Sequence, residues 1–188
     1  IGYYIGWYIG NIENIGYYIG YYIGNVGISI IISTFIGLDG YVIVSKASTL
    51  FKNKIFLQSL GLPNFLPANI PYGARVVKPG FYIMDTPVHD DTEILSGLGA
   101  TGVDGIIQFV SEYALQAHPF IPTIQIAMSH TSKGNEVDLV IADKQPKVIA
   151  TRISSLLIQA YKGNYIPHMQ DHGCTAFQIS RGRLGVSL

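Results

Sequence analysis

The sequence holds only one cysteine, and charged residues make up only 13% of it. The lone Cys174 excludes an intrachain disulfide framework and a zinc site built from cysteines. The 12 basic and 12 acidic residues balance, so no net field attracts nucleic acid or an anionic membrane. The sequence also lacks a P-loop, a nucleophile elbow and a dinucleotide-binding fingerprint. These absences exclude disulfide-stapled domains, polyanion binders and the common nucleotide-binding motifs.

Charge is also missing from one end of the chain. From Ile1 to Leu38 the only charged side chain is Glu13. We therefore predict two parts: a low-complexity segment at 1–27 and a single α/β domain at 28–188, where 188 residues suffice for one buried core. The N-terminus has neither the basic region nor the cleavage site of a secretory signal. Together with the single cysteine, this predicts a cytoplasmic protein.

The N-terminal segment is a near repeat. Residues 1–11 recur almost verbatim as 15–25, with glycines four residues apart. This spacing and a length of about 20 residues are typical of packed membrane helices, but Glu13 lies near the middle, where a charge is costly in lipid. The other interpretation is an irregular surface segment, because each glycine costs about 1 kcal/mol in a water-exposed helix. We predict no membrane partner and assign the segment no function.

Short β-branched runs bounded by glycine predict the strands of the main domain. Asp90 and Glu93 match a capping box at one helix start, and the clearest helix begins at Pro146 and ends at Gly163. Alternating strands and helices predict a three-layer α/β fold, with a mostly parallel sheet, helices on both faces and a C-terminal β-hairpin at 176–188. The predicted strands are 28–35, 41–45, 81–84, 105–110, 123–127 and 137–142.

The loop after the strand at 81–84 combines two carboxylates, a hydroxyl and an imidazole. Loops at the carboxyl ends of parallel strands line the crevice where ligands bind. Asp85 and His89 are the predicted metal ligands, since oxygen ligands with a histidine suit Fe²⁺, Mn²⁺ or Mg²⁺. Alternatively His89 acts as a general base, and the helix start holds a substrate carboxylate. The ordinary alternative is that Asp90 caps the helix and Asp85 orders the turn. The candidate residues are Asp85, Thr86, His89 and Asp90.

A second set of candidates follows the next two predicted strands. We expect the segment at 111–118 to open on the same edge of the sheet, where Glu112 and His118 are acid–base candidates and Ser111 a substrate-binding one. Lys133 follows a further strand and could pair with an anionic substrate. Glu112 and His118 are each more typical of a surface residue than of a catalytic one, and a turn before Gly134 explains Lys133 equally well.

Two other features are interpreted as structural. His168 and His172 have a spacing found in metal sites, but they follow Pro167, and we predict a surface loop without helical geometry. Cys174 is expected to be buried and inert beside an apolar strand.

The second half of the chain carries a more specific signal. Its centre is Met84-Asp-Thr-Pro87, followed by a helix rich in glycine and alanine. With the other matching segments, this motif resembles the C-terminal region of the altronate dehydratase and galactarate dehydratase family, which includes the large subunit of sulfolactate sulfo-lyase. The resemblance covers about residues 70–188. The matching segments are 72–73, 78–80, 81–87, 92–102, 106–109, 122–126, 160–163 and 185–188.

The resemblance implies a carbon–oxygen lyase that removes water from a sugar acid, commonly with Fe²⁺ or another divalent metal. In such a reaction the metal polarises the substrate carboxylate while a base removes the α proton. Asp85 and Thr86 occupy the matching motif positions and are expected to line the site. The expected partners are a small sugar acid and a missing N-terminal domain or partner subunit. Assembly into a homo-oligomer is a further alternative.

One departure from the family supports an alternative. After Phe109 the family usually carries a Thr-Thr-Gly-Arg-Gly loop, whereas this chain continues Val110-Ser-Glu-Tyr-Ala114. The arginine that grips an acid and the glycines that allow close backbone approach are missing. The alternative function is therefore a non-catalytic binding or assembly module that kept the fold.

Overall fold

A computed structural model describes residues 4–9, 18–48, 58, 67–87, 90–110, 113–128, 136–141 and 145–178. Its strands are β1 (Tyr4–Ile9), β2 (Tyr41–Ser45), β3 (Ala68–Ile70), β4 (Gly80–Met84), β5 (Gly105–Val110), β6 (Thr123–Met128) and β7 (Leu139–Ile141). Its helices are α1 (Tyr18–Gly37), α2 (Asp91–Ala100), α3 (Pro146–Tyr161) and α4 (His168–Asp171). The strands form one parallel sheet in the order β3–β4–β2–β1–β5–β6–β7.

Helices cover both faces of this sheet. Along β2, Val42 and Val44 pack into a cluster with α1 and α3, while Tyr41 and Ile43 pack on the other side with α2. Successive side chains of a strand point to opposite faces, so a strand buried on both sides reads as a continuous apolar run. The predicted three-layer α/β fold with a mostly parallel sheet is confirmed. The predicted hairpin at 176–188 lies mostly outside the described residues.

The strand predicted at 28–35 is wrong, because these residues belong to α1. The buried apolar positions are Ile28, Ile31, Ile32 and Phe35, which is the i, i+3, i+4, i+7 spacing of one helix face, whereas Ser33 and Thr34 are exposed. β-branched residues favour strands only weakly. Packing of this apolar face against α3 and the sheet overrides that preference.

The N-terminal repeat contributes to the same sheet. β1 lies at its centre, where Ile5 pairs with Val42 of β2 and with Gly105 of β5. α1 runs across the boundary predicted at residue 27, so that position does not separate two parts. Pairing on both sides satisfies the backbone of β1, which explains how a strand forms without alternating polarity.

Within the described ranges, no helix has the length and apolar character needed to cross a membrane.

The strand order reverses once along the chain. β1, β2 and β4 follow one another outward on one side, and the chain then returns by α2 to place β5 on the other side of β1. The connections leaving β1 and β5 therefore diverge to opposite faces. In open parallel sheets, ligands bind at this switch point, beyond the carboxyl ends of the strands. The switch point lies between β1 and β5, so chemistry is expected at the carboxyl edge of the sheet, where β2 and β4 also end.

Several local predictions need correction. The edge strand β3 was not predicted, and β7 is shorter than the predicted strand at 137–142. His168–Asp171 forms the short helix α4 rather than a loop, which gives His168 and His172 helical spacing. Cys174 is exposed, because it follows α4 at the surface instead of packing beside a strand.

Candidate functional site

β2 and β4 end side by side, which brings their following residues together. Ser45 pairs with Met84 in the last register position, and the Lys46 amide donates to the Met84 carbonyl at 2.9 Å. The Asp85 amide donates in turn to Ile70 of β3, also at 2.9 Å. Parallel strands in register thus place four polar side chains at one edge. We call Ser45, Lys46, Asp85 and Thr86 the carboxyl-edge cluster.

The charged half of the cluster is an exposed ion pair. Lys46 Nζ lies 2.8 Å from Asp85 Oδ1, and the two side chains are 67% and 58% exposed. An ion pair in water contributes only about 0–1 kcal/mol to stability. Breaking the pair therefore costs little free energy. A carboxylate from solvent can compete with Asp85 for the Lys46 ammonium. The contact keeps a cation and a base within one site.

The uncharged half of the cluster is a pair of hydroxyls. Ser45 Oγ lies 3.1 Å from Thr86 Oγ1, and the Ala47 amide donates to both oxygens at 3.1 and 3.2 Å. Ser45 is completely buried and Thr86 is half-buried. One of the two hydroxyls donates its hydrogen to the other. The hydrogen of the second hydroxyl has no acceptor among Ser45, Ala47 and Thr86. Ser45 and the Ala47 amide thus hold the Thr86 hydroxyl in place on a side chain that is only half-buried.

Asp90, a predicted substrate-binding residue, caps α2. Its Oδ1 accepts a hydrogen bond from the Glu93 amide at 2.9 Å, and its backbone is extended, as expected at an N-cap. This confirms the capping interaction and corresponds to the ordinary interpretation of the sequence. Such a cap contributes about 1 kcal/mol.

The half-buried Tyr72 and the buried Glu93 meet in the first turn of α2. The Tyr72 hydroxyl donates to the Glu93 carbonyl at 2.7 Å, and its ring packs against Gly97. Burial, together with the charges of Glu93 and Asp90, raises the pKa of Tyr72 to about 12. Within the described part of the chain, no donor reaches Oε1 of the buried Glu93. Tyr72 therefore stays protonated and fixes the start of α2.

His118 lies away from the carboxyl-edge cluster. A Cβ on Gly99, in the last turn of α2, would lie 2.5 Å from His118 Nε2, whereas Asp90 caps the first turn. At about 1.5 Å per residue, these two ends of the helix are roughly 14 Å apart. His118 sits there because the connection to a parallel strand must return to the amino edge, and its amide donates to Thr123 at the start of β6.

The imidazole of His118 is buried in its neutral form. Its Nδ1 accepts the amides of Phe120 and Ile121 at 3.2 and 3.1 Å, which leaves the proton on Nε2. Burial lowers the pKa of His118 below 6.5, because loss of water disfavours the imidazolium. The residue holds the β5–β6 connection in place.

Acidification should destabilise the fold through His118. The unfolded imidazole titrates near 6.5, whereas the folded one stays neutral to lower pH, so the unfolded state binds more protons. The free energy of unfolding is therefore fully retained above 6.5 and falls as pH drops toward the lowered folded pKa. Urea unfolding across this range should show the loss in wild type and in the exposed control His172→Gln, but not in His118→Gln. Parallel wild-type and His118→Gln curves would contradict the assignment.

Four predicted site residues cannot be placed. His89, Ser111, Glu112 and Lys133 lie outside the described residues. Asp85 and Thr86 lie together at the carboxyl edge, as expected from their position after a strand.

The described residues leave the implied divalent metal untested, because His89, one of its two predicted ligands, lies outside them. Across the described ranges, no three or more His, Cys, Asp or Glu side chains gather into a metal-binding group. Of the two predicted ligands, Asp85 has its Oδ1 on the Lys46 ammonium.

Ser45 and Lys46 were missed by sequence reasoning, although a signal was present. Both come at the end of a predicted strand, as Asp85 and Thr86 do. Because parallel strands finish at the same edge, the polar residues ending each strand belong in one candidate set.

No protein-family model matches the chain, and no curated protein matches it.

Proposed function

We propose that the chain is the C-terminal α/β domain of a carbon–oxygen lyase that dehydrates a sugar acid at the carboxyl-edge cluster. The observation that carries the proposal is the 2.8 Å contact between Lys46 and Asp85 beside two hydroxyls. A cation, a base and hydroxyl groups are what a polyhydroxy carboxylate requires. The resemblance of the Asp85-Thr86 motif to the sugar-acid dehydratase family supports the same reaction.

Substrate binding begins at Lys46. Its ammonium has three donors, so it can hold the substrate carboxylate and still contact Asp85 or a neighbouring hydroxyl. In this proposal Lys46 supplies the cation that the altered loop after Phe109 lacks. Thr86 binds a substrate hydroxyl and orients the carbon chain, and the buried Ser45 hydroxyl holds Thr86 in position.

The reaction is an elimination between the two carbons nearest the carboxylate. Asp85 takes the proton from the α carbon, and the electrons of that bond form a double bond as the β carbon releases its hydroxyl. Lys46 gives a proton to this leaving group, which departs as water. The enol product then tautomerises to a 2-oxo acid. Asp85 returns its proton to Lys46 across their contact, which restores both groups.

Turnover by the purified chain tests the proposal. A panel of aldonic and aldaric acids is incubated with the protein, and the 2-oxo-3-deoxy product is detected by its carbonyl. We expect product from at least one acid of the panel. Failure with every acid of the panel would contradict a lyase.

A second candidate function is the non-catalytic binding or assembly module. The observation that favours it is an exposed aromatic pair at the amino edge: Phe120 and Phe177 are 82% and 52% exposed and both contact the His118 ring edge-on. Exposed aromatic side chains are typical of protein interfaces. Binding of a sugar acid without product would favour this function.

A further inference from the structure

α4 brings two imidazoles together away from the carboxyl-edge cluster. The rings of His168 and His172 are nearly parallel, with 11° between their planes and 6.4 Å between centroids. Side chains four residues apart are neighbours on a helix surface. His172 is exposed and His168 is half-buried. The pair lies beside Val137, which precedes β7, and therefore at the opposite edge of the sheet from Lys46.

The ring of His168 is held in a defined tautomer. Its Nδ1 lies 3.1 Å from the Val137 carbonyl oxygen, and because a carbonyl only accepts, Nδ1 carries the proton. Nε2 is then the nitrogen with the lone pair. An imidazole whose other nitrogen donates to a backbone carbonyl is the arrangement found in metal-bound histidines.

The backbone around His168 is fixed as well. Asp138 Oδ1 accepts hydrogen bonds from the His168 amide at 2.8 Å and from the Tyr165 hydroxyl at 2.6 Å. The other carboxylate oxygen accepts the Gln125 amide of β6 at 2.6 Å. Asp138 thus ties the start of α4 to the sheet, and His168 is a rigid ligand rather than a loose surface side chain.

We propose that His168 and His172 bind one late first-row divalent ion, such as Cu²⁺, Ni²⁺ or Zn²⁺, through their Nε2 atoms. Imidazole nitrogen is a preferred ligand of these ions. Metal–nitrogen bonds of about 2.0–2.1 Å require the two Nε2 atoms to lie within about 4 Å of each other. The exposed His172 reaches this position by turning about its side-chain torsions, while His168 stays in place. Water completes the coordination.

Calorimetric titration of the full chain with Ni²⁺ tests this site. Wild type should bind one ion per chain, and His172→Ala should weaken the affinity by about a hundredfold, since one ligand of a linked pair is lost. His172 is exposed, so its removal leaves the fold intact. His130→Ala, with the same number of histidines as His172→Ala, is the matched control and should bind like wild type.

Cu²⁺ electron paramagnetic resonance gives a second readout that does not depend on affinity. We expect two coordinated imidazole nitrogens in wild type and one in His172→Ala. Equal Ni²⁺ affinity in wild type and His172→Ala, or a single nitrogen in wild type, would overturn the proposal. Neither result depends on lyase activity, so this test and that of the carboxyl-edge cluster fail separately.

Discussion

Asp85→Asn should reduce kcat for sugar-acid dehydration by about 10²- to 10⁴-fold, the usual contribution of a positioned general base. Asparagine has the shape of aspartate and still accepts a hydrogen bond from Lys46, but it cannot take a proton from carbon. Because Asp85 is 58% exposed and its ion pair lies in solvent, stability should change by no more than about 1 kcal/mol. KM should change less than kcat, since Lys46 remains to hold the substrate.

Steady-state kinetics and urea unfolding of the same preparation separate these effects. The matched control is Asp39→Asn, at another exposed aspartate, which lies before β2 at the amino edge of the sheet. Asp39 has a positive φ of 57°, which asparagine also tolerates. The control should keep wild-type kcat. Wild-type turnover by Asp85→Asn would show that another residue is the base.

Gly97→Ala should destabilise the fold by about 1–3 kcal/mol, the range of overpacking a filled core. A Cβ at Gly97 would meet the ring of Tyr72 and lie 3.0 Å from Met84 Cε. The ring cannot move aside easily because its hydroxyl is bound to the Glu93 carbonyl. Met84 is fully buried at the end of β4. The added methyl therefore pushes α2 away from the sheet.

Chemical denaturation midpoints measure this effect, with Gly37→Ala as the matched control. Gly37 is the last residue of α1, and a Cβ there would meet nothing within 4 Å. Since alanine is the better helix former, the control should be neutral or stabilising by up to about 1 kcal/mol. If both substitutions changed the midpoint equally, close packing of Tyr72 on α2 would not explain the glycine.

Local sequence signals predicted the elements that have clear boundaries. Gly105–Val110 is a buried run after glycine, and Pro146 with its apolar stripe begins α3. The strand prediction for residues 28–35 was wrong because four isoleucines among eight residues fit either a buried strand or a buried helix. Only the exposed Ser33 and Thr34 in the structure show the helical period. β1 was missed because sheet pairing, rather than side-chain alternation, specifies it.

The candidate site was predictable where one strand end was considered and not where two had to be combined. Asp85 and Thr86 follow a strand, which the sequence shows directly. Lys46 and Ser45 join them only through the parallel register of β2 and β4. His118 was expected at the same edge, but the β5–β6 connection returns to the amino edge before reaching it. Both errors, the omission of Ser45 and Lys46 and the misplacement of His118, therefore arose from connections between strands that the local sequence does not show.

The measurement that tests the central claim most directly is amide chemical-shift mapping of sugar-acid binding by NMR. The Asp85→Asn chain is labelled with ¹⁵N and titrated with the acid, so that the ligand binds without being consumed. We predict the largest shifts at the amides of 45–48 and 85–86, with the hydrogen bonds of Ala47 to Ser45 and Thr86 perturbed first. Largest shifts at the amino edge, or none at the carboxyl-edge cluster, would contradict the assignment of the site.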